Sequence, residues 1–241
     1  MTLNIKDRFI ALVIHLMLSG LIIGALIALI YFVWFPNNLI LVGATTGLVI
    51  LVSVDLVLGP LLTFIVFDKS KSSLKFDLSC IAALQLLCLV YGAYLIYNER
   101  PILHVLADDG VTIFTISELK EHSIELDYGL FDKPTTKYLE IPEDRTTAIT
   151  TRVQYEIVEG RPFALKTESH IDLSQVDRAK FDDRLKFIIT PLAEKEQQRL
   201  ASLANMKDIK TCDWVPLYAV HATGGSVCLE HTNGVVNYSK R

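Results

Sequence analysis

The first hundred residues are poor in charge. No Asp, Glu, Lys or Arg occurs from Phe9 to Phe35. From there to Tyr97 the charged groups are Asp55, isolated in a long apolar run, and those of the short stretch Asp68 to Asp77. Half of the 241 residues are apolar, and that excess is gathered at one end. A basic excess is also missing. From Pro101 to Arg241 there are 17 Lys and Arg against 22 Asp and Glu, which excludes the phosphate-neutralising face that nucleic-acid binding needs. Internal repeats and low-complexity segments are absent. So are the patterns that carry catalysis. His104, His122, His170, His221 and His231 have no metal-ligand spacing. Gly224-Gly225 is neither a phosphate loop nor a nucleophile elbow. Glu194 and Glu196 have no basic or nucleophilic partner in the pattern. The expectation is a protein that binds rather than transforms, with no enzyme activity, cofactor or metal.

What is present is three apolar runs. Phe9 to Phe35 is 27 residues long, and a helix crosses the hydrocarbon with ~20. Pro36, Asn37 and Asn38 make a turn; Leu39 to Phe67 is the second run and Leu78 to Tyr97 the third. The basic start at Lys6 and Arg8 resembles that of a signal peptide, but the apolar core is about twice the usual length and no A-x-A site follows, so an uncleaved anchor is the better reading. Lys6 and Arg8 precede the first run, Lys69, Lys71 and Lys75 lie between the second and third, and the first turn carries no charge. By the positive-inside rule the N-terminus is cytoplasmic and everything after Tyr97 lies across the membrane. Tyr31, Phe32 and Trp34, with Tyr91, Tyr94 and Tyr97, sit at the outer ends as an interfacial belt would. The expected division is a transmembrane domain over 1–100, with spans at about 9–35, 39–67 and 78–97, and a soluble domain over 101–241.

Asp55 is the most informative single residue. A carboxylate at mid-bilayer costs at least ~2.5 kcal/mol on insertion scales, so such a group faces protein or water and has a partner. Gly59-Pro60 follows one turn later; proline removes a backbone hydrogen bond, and the freed carbonyls must be satisfied nearby. Two readings stand. Asp55 is either an internal clamp, bonded to Gln85, Tyr91 or another neighbour, or it meets a polar group on another membrane protein. His15 and Gln85 lie at similar depths and could pair with each other.

The soluble part reads as α+β, with antiparallel strands flanking a helical pair. Ile102 to Ile116 alternates around Asp109-Gly110, a hairpin signal. Thr147 to Val158 reads as a strand, and Asp127 to Arg145 as loop with short strands. A helix is expected from Ser174 to about Ile189 and a second from Pro191 to about Met206. Strands are expected at Trp214–Ala222, Ser226–His231 and Val235–Tyr238, with turns at Gly224-Gly225 and Asn233-Gly234. Cys80 and Cys88 lie in the third run. Cys212 and Cys228 lie in the soluble part, where oxidising conditions permit a bridge. A turn at Gly224-Gly225, however, sets Cys228 opposite His221, far from Cys212, and a bridge needs Cα atoms within ~7 Å, so a Cys212–Cys228 disulfide requires a bend near Pro216 or a different pairing.

Four stretches carry a resemblance. They are Lys6-Asp7-Arg8 followed by Ile14-His15-Leu16; Val54-Asp55-Leu56-Val57-Leu58-Gly59-Pro60-Leu61-Leu62-Thr63; Ser73-Leu74-Lys75-Phe76-Asp77-Leu78 continuing through Leu84-Gln85-Leu86 to Tyr91-Gly92; and Arg100-Pro101. Together they resemble the type IV pilin accessory proteins (the TfpX/TfpZ group, with the FimB-like fimbrial assembly protein), over roughly residues 5 to 105. The resemblance implies a non-enzymatic factor of the bacterial inner membrane with a periplasmic C-terminal domain. Such a factor binds a cognate pilin through its transmembrane helix and its periplasmic head, and so promotes assembly. We expect Asp55, His15, Gln85, Gly59 and Pro60 at the intramembrane contact. Asp55 would be protonated, or use a bridging partner, to meet the acidic residue of a pilin helix. A membrane-tethered periplasmic sensor working through a separate partner is the alternative. Against it, the cytoplasmic portion is only the short N-terminus and one loop of ten residues.

Overall fold

The structure is a computed structural model describing residues 5–36, 39, 44–188, 213–219, 222–231 and 233–240; at 45, 46, 187, 222–224 and 236–240 it describes the backbone alone. The chain divides into two compact units, Met1–Val33 with Ala44–Glu99, and Trp34–Gly43 with Arg100–Arg241.

The first unit is helical. α1 (Ile5–Leu29) runs into a π turn at Ile30–Trp34. α2 (Thr45–Ser53), a π turn at Val54–Leu58 and α3 (Gly59–Val66) follow one another without a break. α4 spans Leu74–Asn98. Three helical stretches, Ile5–Trp34, Gly47–Val66 and Leu74–Asn98, are long and apolar enough to cross a membrane. Met17, Leu21, Phe32, Leu87 and Tyr91 stay exposed along them. The second helix begins at Thr45, not at Leu39 as the run of apolar residues suggested. Leu39 is apolar for another reason: it is fully buried, as is Phe35, with Trp34 buried beside them, and it belongs to the other unit. At the charged end of the helices Lys69 pairs with Asp7 at 2.8 Å, Arg8 donates to the Ile65 carbonyl at 3.1 Å, and Lys71 pairs with Asp77.

The second unit is built on one seven-stranded sheet: β1 (Pro101–Leu106), β2 (Val111–Thr115), β3 (Thr135–Leu139), β4 (His170–Asp172), β5 (Asp213–Ala219), β6 (Ala222–Glu230) and β7 (Gly234–Lys240), in the order β4-β3-β1-β2-β5-β6-β7. The expected β1–β2 hairpin is present, its turn closed by Ala107 N–H donating to the Gly110 carbonyl at 2.9 Å. A side chain at Gly110 would run into the Pro216 carbonyl of β5, so glycine admits the neighbouring strand. The sheet is mixed, contrary to the antiparallel expectation. β1 runs parallel to β3 and β2 parallel to β5, while the other pairs are antiparallel. Alternation marks a strand but does not name its neighbour. The sheet curls until β7 returns to β3, where Val235 N–H donates to Thr136 Oγ1 at 3.4 Å and Gly234 lies against Thr136.

Among the described residues three α-helices complete this unit. α5 (Ile116–Glu121) opens on a capping box: the Thr115 hydroxyl accepts from Glu118 N–H, and the Glu118 carboxylate accepts from Thr115 N–H at 2.7 Å. α6 (Arg145–Val153), prolonged by a π turn over Gln154–Val158, replaces the strand expected there. Asp144 decides the outcome, because its carboxylate accepts from Thr147 N–H at 2.7 Å and caps the first turn. The hydroxyls of Thr150 and Thr151 bond back to carbonyls four residues earlier, so these β-branched residues fit a helix. α7 (Arg178–Ile188) starts four residues after the expected Ser174. Leu173–Gln175 forms a 3₁₀ turn, and Asp177 accepts from Ala179 N–H at 2.7 Å. Phe181, Leu185 and Ile188 are its buried face. The expected helix from Pro191 to Met206 lies outside the described residues.

Candidate functional site

Proline at position 60 shapes the site. In the π turn Gly59 N–H reaches back five residues to the Val54 carbonyl. The residue after Gly59 would serve the Asp55 carbonyl in the same way, but Pro60 has no N–H. The donor comes from another helix: Gln85 Nε2 of α4 lies 3.5 Å from the Asp55 carbonyl, and the Gln85 amide also reaches the Asp55 side chain. Gly59 makes room for this, since a Cβ there would collide with the Gln85 amide. Asp55 itself is 5% exposed. The helix is widened over one turn before the proline, and the neighbouring helix answers the carbonyl left over.

His15 meets Thr63, not Gln85. Its Nδ1 lies 2.6 Å from Thr63 Oγ1, and Thr63 is 4% exposed. This brings α1 to α3 eight residues beyond Asp55. Thr63 was not singled out from the sequence, although a hydroxyl one turn after an intrahelical proline is a signal of local hydrogen bonding. Tyr91, the other partner suggested for Asp55, is exposed.

Around these groups lies a cavity of about 700 Å³. Asp55, Thr63, His15 and Gln85 line it together with aliphatic side chains of α1 and α4 such as Ile14, Leu18, Ile22 and Leu89. Asp7 and Lys69, themselves an ion pair, also line it. Four of the five residues expected at the intramembrane contact therefore meet in one place: His15, Asp55 and Gln85 line the cavity, and Gly59 fits against Gln85. Pro60 is buried in the same helix. Such a wall takes up apolar side chains along its length and one or two polar groups at fixed positions.

Among its described residues the sheet unit offers no comparable centre. Among the described residues no group of three His, Cys, Asp or Glu could hold a metal ion. His170 donates from Nε2 to the Ala164 carbonyl at 2.8 Å, and burial pushes its pKa down. His231 donates to the Val176 carbonyl at 2.7 Å and stacks edge-on against Phe181. Both are internal ties. The Tyr155 hydroxyl donates to Glu168 at 2.5 Å; burial first, then that carboxylate, raises the phenol to about 12. His221 and Cys212 lie outside the described residues. Gly224 and Gly225 are strand residues of β6, and β5 and β6 pair from Ala219 with Ala222 onward. That register sets Cys228 opposite Trp214, which removes the geometric objection to a bridge raised by a turn at Gly224-Gly225. Cys228 is fully buried and disulfide-bonded, whereas Cys80 and Cys88 are free.

Over 109 residues, 44% of its length, the chain is 36% identical to the fimbrial assembly protein of serogroup E1 of Dichelobacter nodosus. Over equally long matches it is 35% identical to the fimbrial assembly protein of serogroups C1 and C2, and 33% identical to that of serogroup I, in the same organism. The matched stretch makes up 42% of the E1 and I proteins and 83% of the C1 and C2 protein. The chain thus spans under half the length of two of these relatives and most of the third. No family model matches the chain, and no solved structure matches it.

Proposed function

We propose, since this chain belongs to the family of fimbrial assembly proteins, that it is an inner-membrane accessory factor of pilus assembly that binds a cognate type IV pilin. It is of the kind described as the TfpX/TfpZ group. The three long apolar helices are its spans, with the N-terminus cytoplasmic and the sheet unit periplasmic; Arg8, Lys69, Lys71 and Lys75 at one end of the helices favour this orientation. The exposed apolar side chains of these helices have hydrocarbon as their natural solvent. The protein acts by holding a subunit, not by catalysis.

The observation that carries this reading is the cavity beside Asp55. A pilin waiting in the membrane presents an apolar helix, and helix contacts in lipid rest on close packing and a few interhelical hydrogen bonds rather than on hydrophobic burial. The wall formed by Ile14, Leu18, Ile22 and Leu89 offers the first, and Asp55, Gln85 and His15 offer the second. The sheet unit engages the pilin head.

Photo-cross-linkers at Leu18 and Leu89, in cells making the cognate pilin, are expected to capture that pilin. Asp55→Leu is expected to lower surface piliation strongly while the protein still accumulates in the membrane, and Asp55→Asn, which keeps hydrogen bonding, to lower it less. If neither cross-linker captures pilin and both variants pilate normally, the intramembrane site is wrong. A C-terminal reporter active in the cytosol would overturn the topology.

A further inference from the structure

α6 and the π turn that prolongs it are amphipathic the wrong way round. No residue of Arg145–Val158 is buried, and the half-buried ones are Ala148, Thr151, Arg152 and Tyr155. Their spacing of three and four residues puts them on one face, and that face is turned to the sheet unit. Arg152 Nη2 donates to the Asp108 carboxylate at 2.6 Å, its guanidinium stands over the Phe163 ring at 5.2 Å, and the Tyr155 hydroxyl donates to Glu168 at 2.5 Å. Ile149, Val153, Ile157 and Val158 point away and are 54%, 46%, 77% and 66% exposed. Residues four apart drift by ~40° round an α-helix. The π turn winds more slowly and brings Ile157 back into line with Val153, which lengthens the apolar stripe. A helix on the surface of a soluble unit has its apolar side inward. Here the polar side is tied down, so the stripe cannot roll inward without breaking the Asp108 and Glu168 contacts.

The charges beside the stripe indicate what covers it. Arg145 opens the helix and Glu156 stands in its last turn, both exposed. Counted round the helix, they fall on the same flank of the stripe. For their own helix they are at the unfavourable ends, because a cation at the N-terminus and an anion near the C-terminus each oppose the helix dipole. A second helix of the same kind, lying face to face in the opposite direction, corrects both. Like flanks then meet, and Arg145 of one copy comes opposite Glu156 of the other, twice by symmetry. We propose that the α6 stripe is a self-association surface, at which two copies of this chain pair about a two-fold axis with α6 packed antiparallel on α6. The area agrees: the four aliphatic side chains of each copy, with Thr146 and Thr150 beside them, remove about 1,000 Å² from water, the lower limit of a specific interface. No charged residue lies within the stripe to be buried unpaired. The contact belongs to the sheet unit alone and does not depend on what fills the intramembrane cavity.

The test uses the full chain without pilin, by sedimentation equilibrium in density-matched detergent micelles over a range of protein concentrations. The parent is expected to show a monomer–dimer equilibrium. Val153→Asp, which sets two carboxylates against each other near the centre of the contact, is expected to be monomeric throughout, and so is Ile157→Lys. Both positions are exposed, and an unchanged circular dichroism spectrum shows that the variants fold. Arg145→Glu and Glu156→Arg, each alone, are expected to weaken dimerisation roughly tenfold, and the two together to restore it. Either exchange improves the match to the helix dipole, so a loss does not come from melting of α6. A parent that stays monomeric overturns the inference; if Val153→Asp then lowers piliation, a different partner covers the stripe. A dimer that survives both Val153→Asp and Ile157→Lys is formed elsewhere on the chain and overturns it as well. If the doubly exchanged variant stays as weak as the single ones, the antiparallel pairing is wrong and the inference fails with it.

Discussion

His104 makes the sheet unit sensitive to acid in a calculable way. It sits in the middle of β1, opposite Ile113 of β2 and Thr136 of β3, and is 2% exposed. Its Nδ1 lies 3.5 Å from Thr136 Oγ1, and its Nε2 is buried with no hydrogen-bond partner among the described residues. Desolvation alone, with no charged neighbour contributing, pushes its pKa down from 6.5 to about 4. A group whose folded pKa is depressed in this way binds its proton more weakly folded than unfolded. Above pH 6.5 both states are neutral and nothing is lost. As the pH falls from 6.5 toward 4 the unfolded chain takes up the proton first and stability declines, until below 4 both states are protonated and the loss is complete. At 1.36 kcal/mol per pH unit the interval amounts to about 3 kcal/mol, a ceiling because the unit can relax around the charge. Domains have only about 5–15 kcal/mol in total. Guanidinium unfolding of the full chain in detergent micelles, followed by the sheet signal in circular dichroism, is expected to show this decline between pH 6.5 and 4.5. In His104→Leu that part of the slope should vanish, leaving what His170 and the carboxylates contribute. Equal slopes in the two proteins would refute the argument.

Two further outcomes follow from single contacts. Gln85→Leu is expected to destabilise the helical unit by about 1 kcal/mol, the scale of hydrogen bonds between membrane helices; in a Pro60→Ala background, where position 60 regains an N–H, the cost should shrink to what the contact with the Asp55 side chain contributes. A double-mutant cycle on unfolding in bicelles measures this, and an undiminished cost in the second background would show that the Asp55 carbonyl is not what Gln85 serves. Gly234 sits at φ +70° with its Cα against Thr136, so Gly234→Ala should cost at least about 1–2 kcal/mol from the left-handed backbone alone. An unchanged denaturation midpoint would mean that β7 does not close onto β3.

What the sequence disclosed depended on which physical rule was in force. Apolar length is a property of the chain itself, and so the three long helices were legible. Leu39 was misjudged because burial in a folded unit and burial in lipid select the same side chain. The stretch Thr147 to Val158 read as a strand on the weight of its β-branched residues, yet Asp144 was there to cap a helix and outweighed them. Thr115 and Glu118 had the spacing of a capping box and announced α5, a signal masked by the alternation just before it. The parallel pairings of β1 with β3 and β2 with β5 were beyond reach, because they depend on partners 30 or more residues away. The Gly224-Gly225 pair misplaced the turn and with it the register of Cys228. Glycine relaxes the backbone, but its position in β6 shows that it need not bend it.

In the candidate site, the residues were legible but their pairing was not. Asp55 and Pro60 announced a carbonyl in need of a donor, and composition allowed Gln85, Tyr91 or another neighbour to supply it. The π turn settles the choice: by bonding Gly59 to Val54 it leaves the Asp55 carbonyl as the group that Pro60 cannot serve, and Gln85 is the amide facing it. His15 is then engaged separately by Thr63. Eight helical residues separate Thr63 from Asp55, ~12 Å at 1.5 Å per residue. Besides the Asp7–Lys69 pair at its charged end, the cavity therefore has polar groups at two levels along the helices, one at Asp55 and Gln85 and one at His15 and Thr63. A helix lying along it with polar groups about two turns apart could meet both, whereas one with a single polar group must choose. Moving that group by two turns in the guest would then shift which host variant, Asp55→Leu or His15→Leu, weakens the contact.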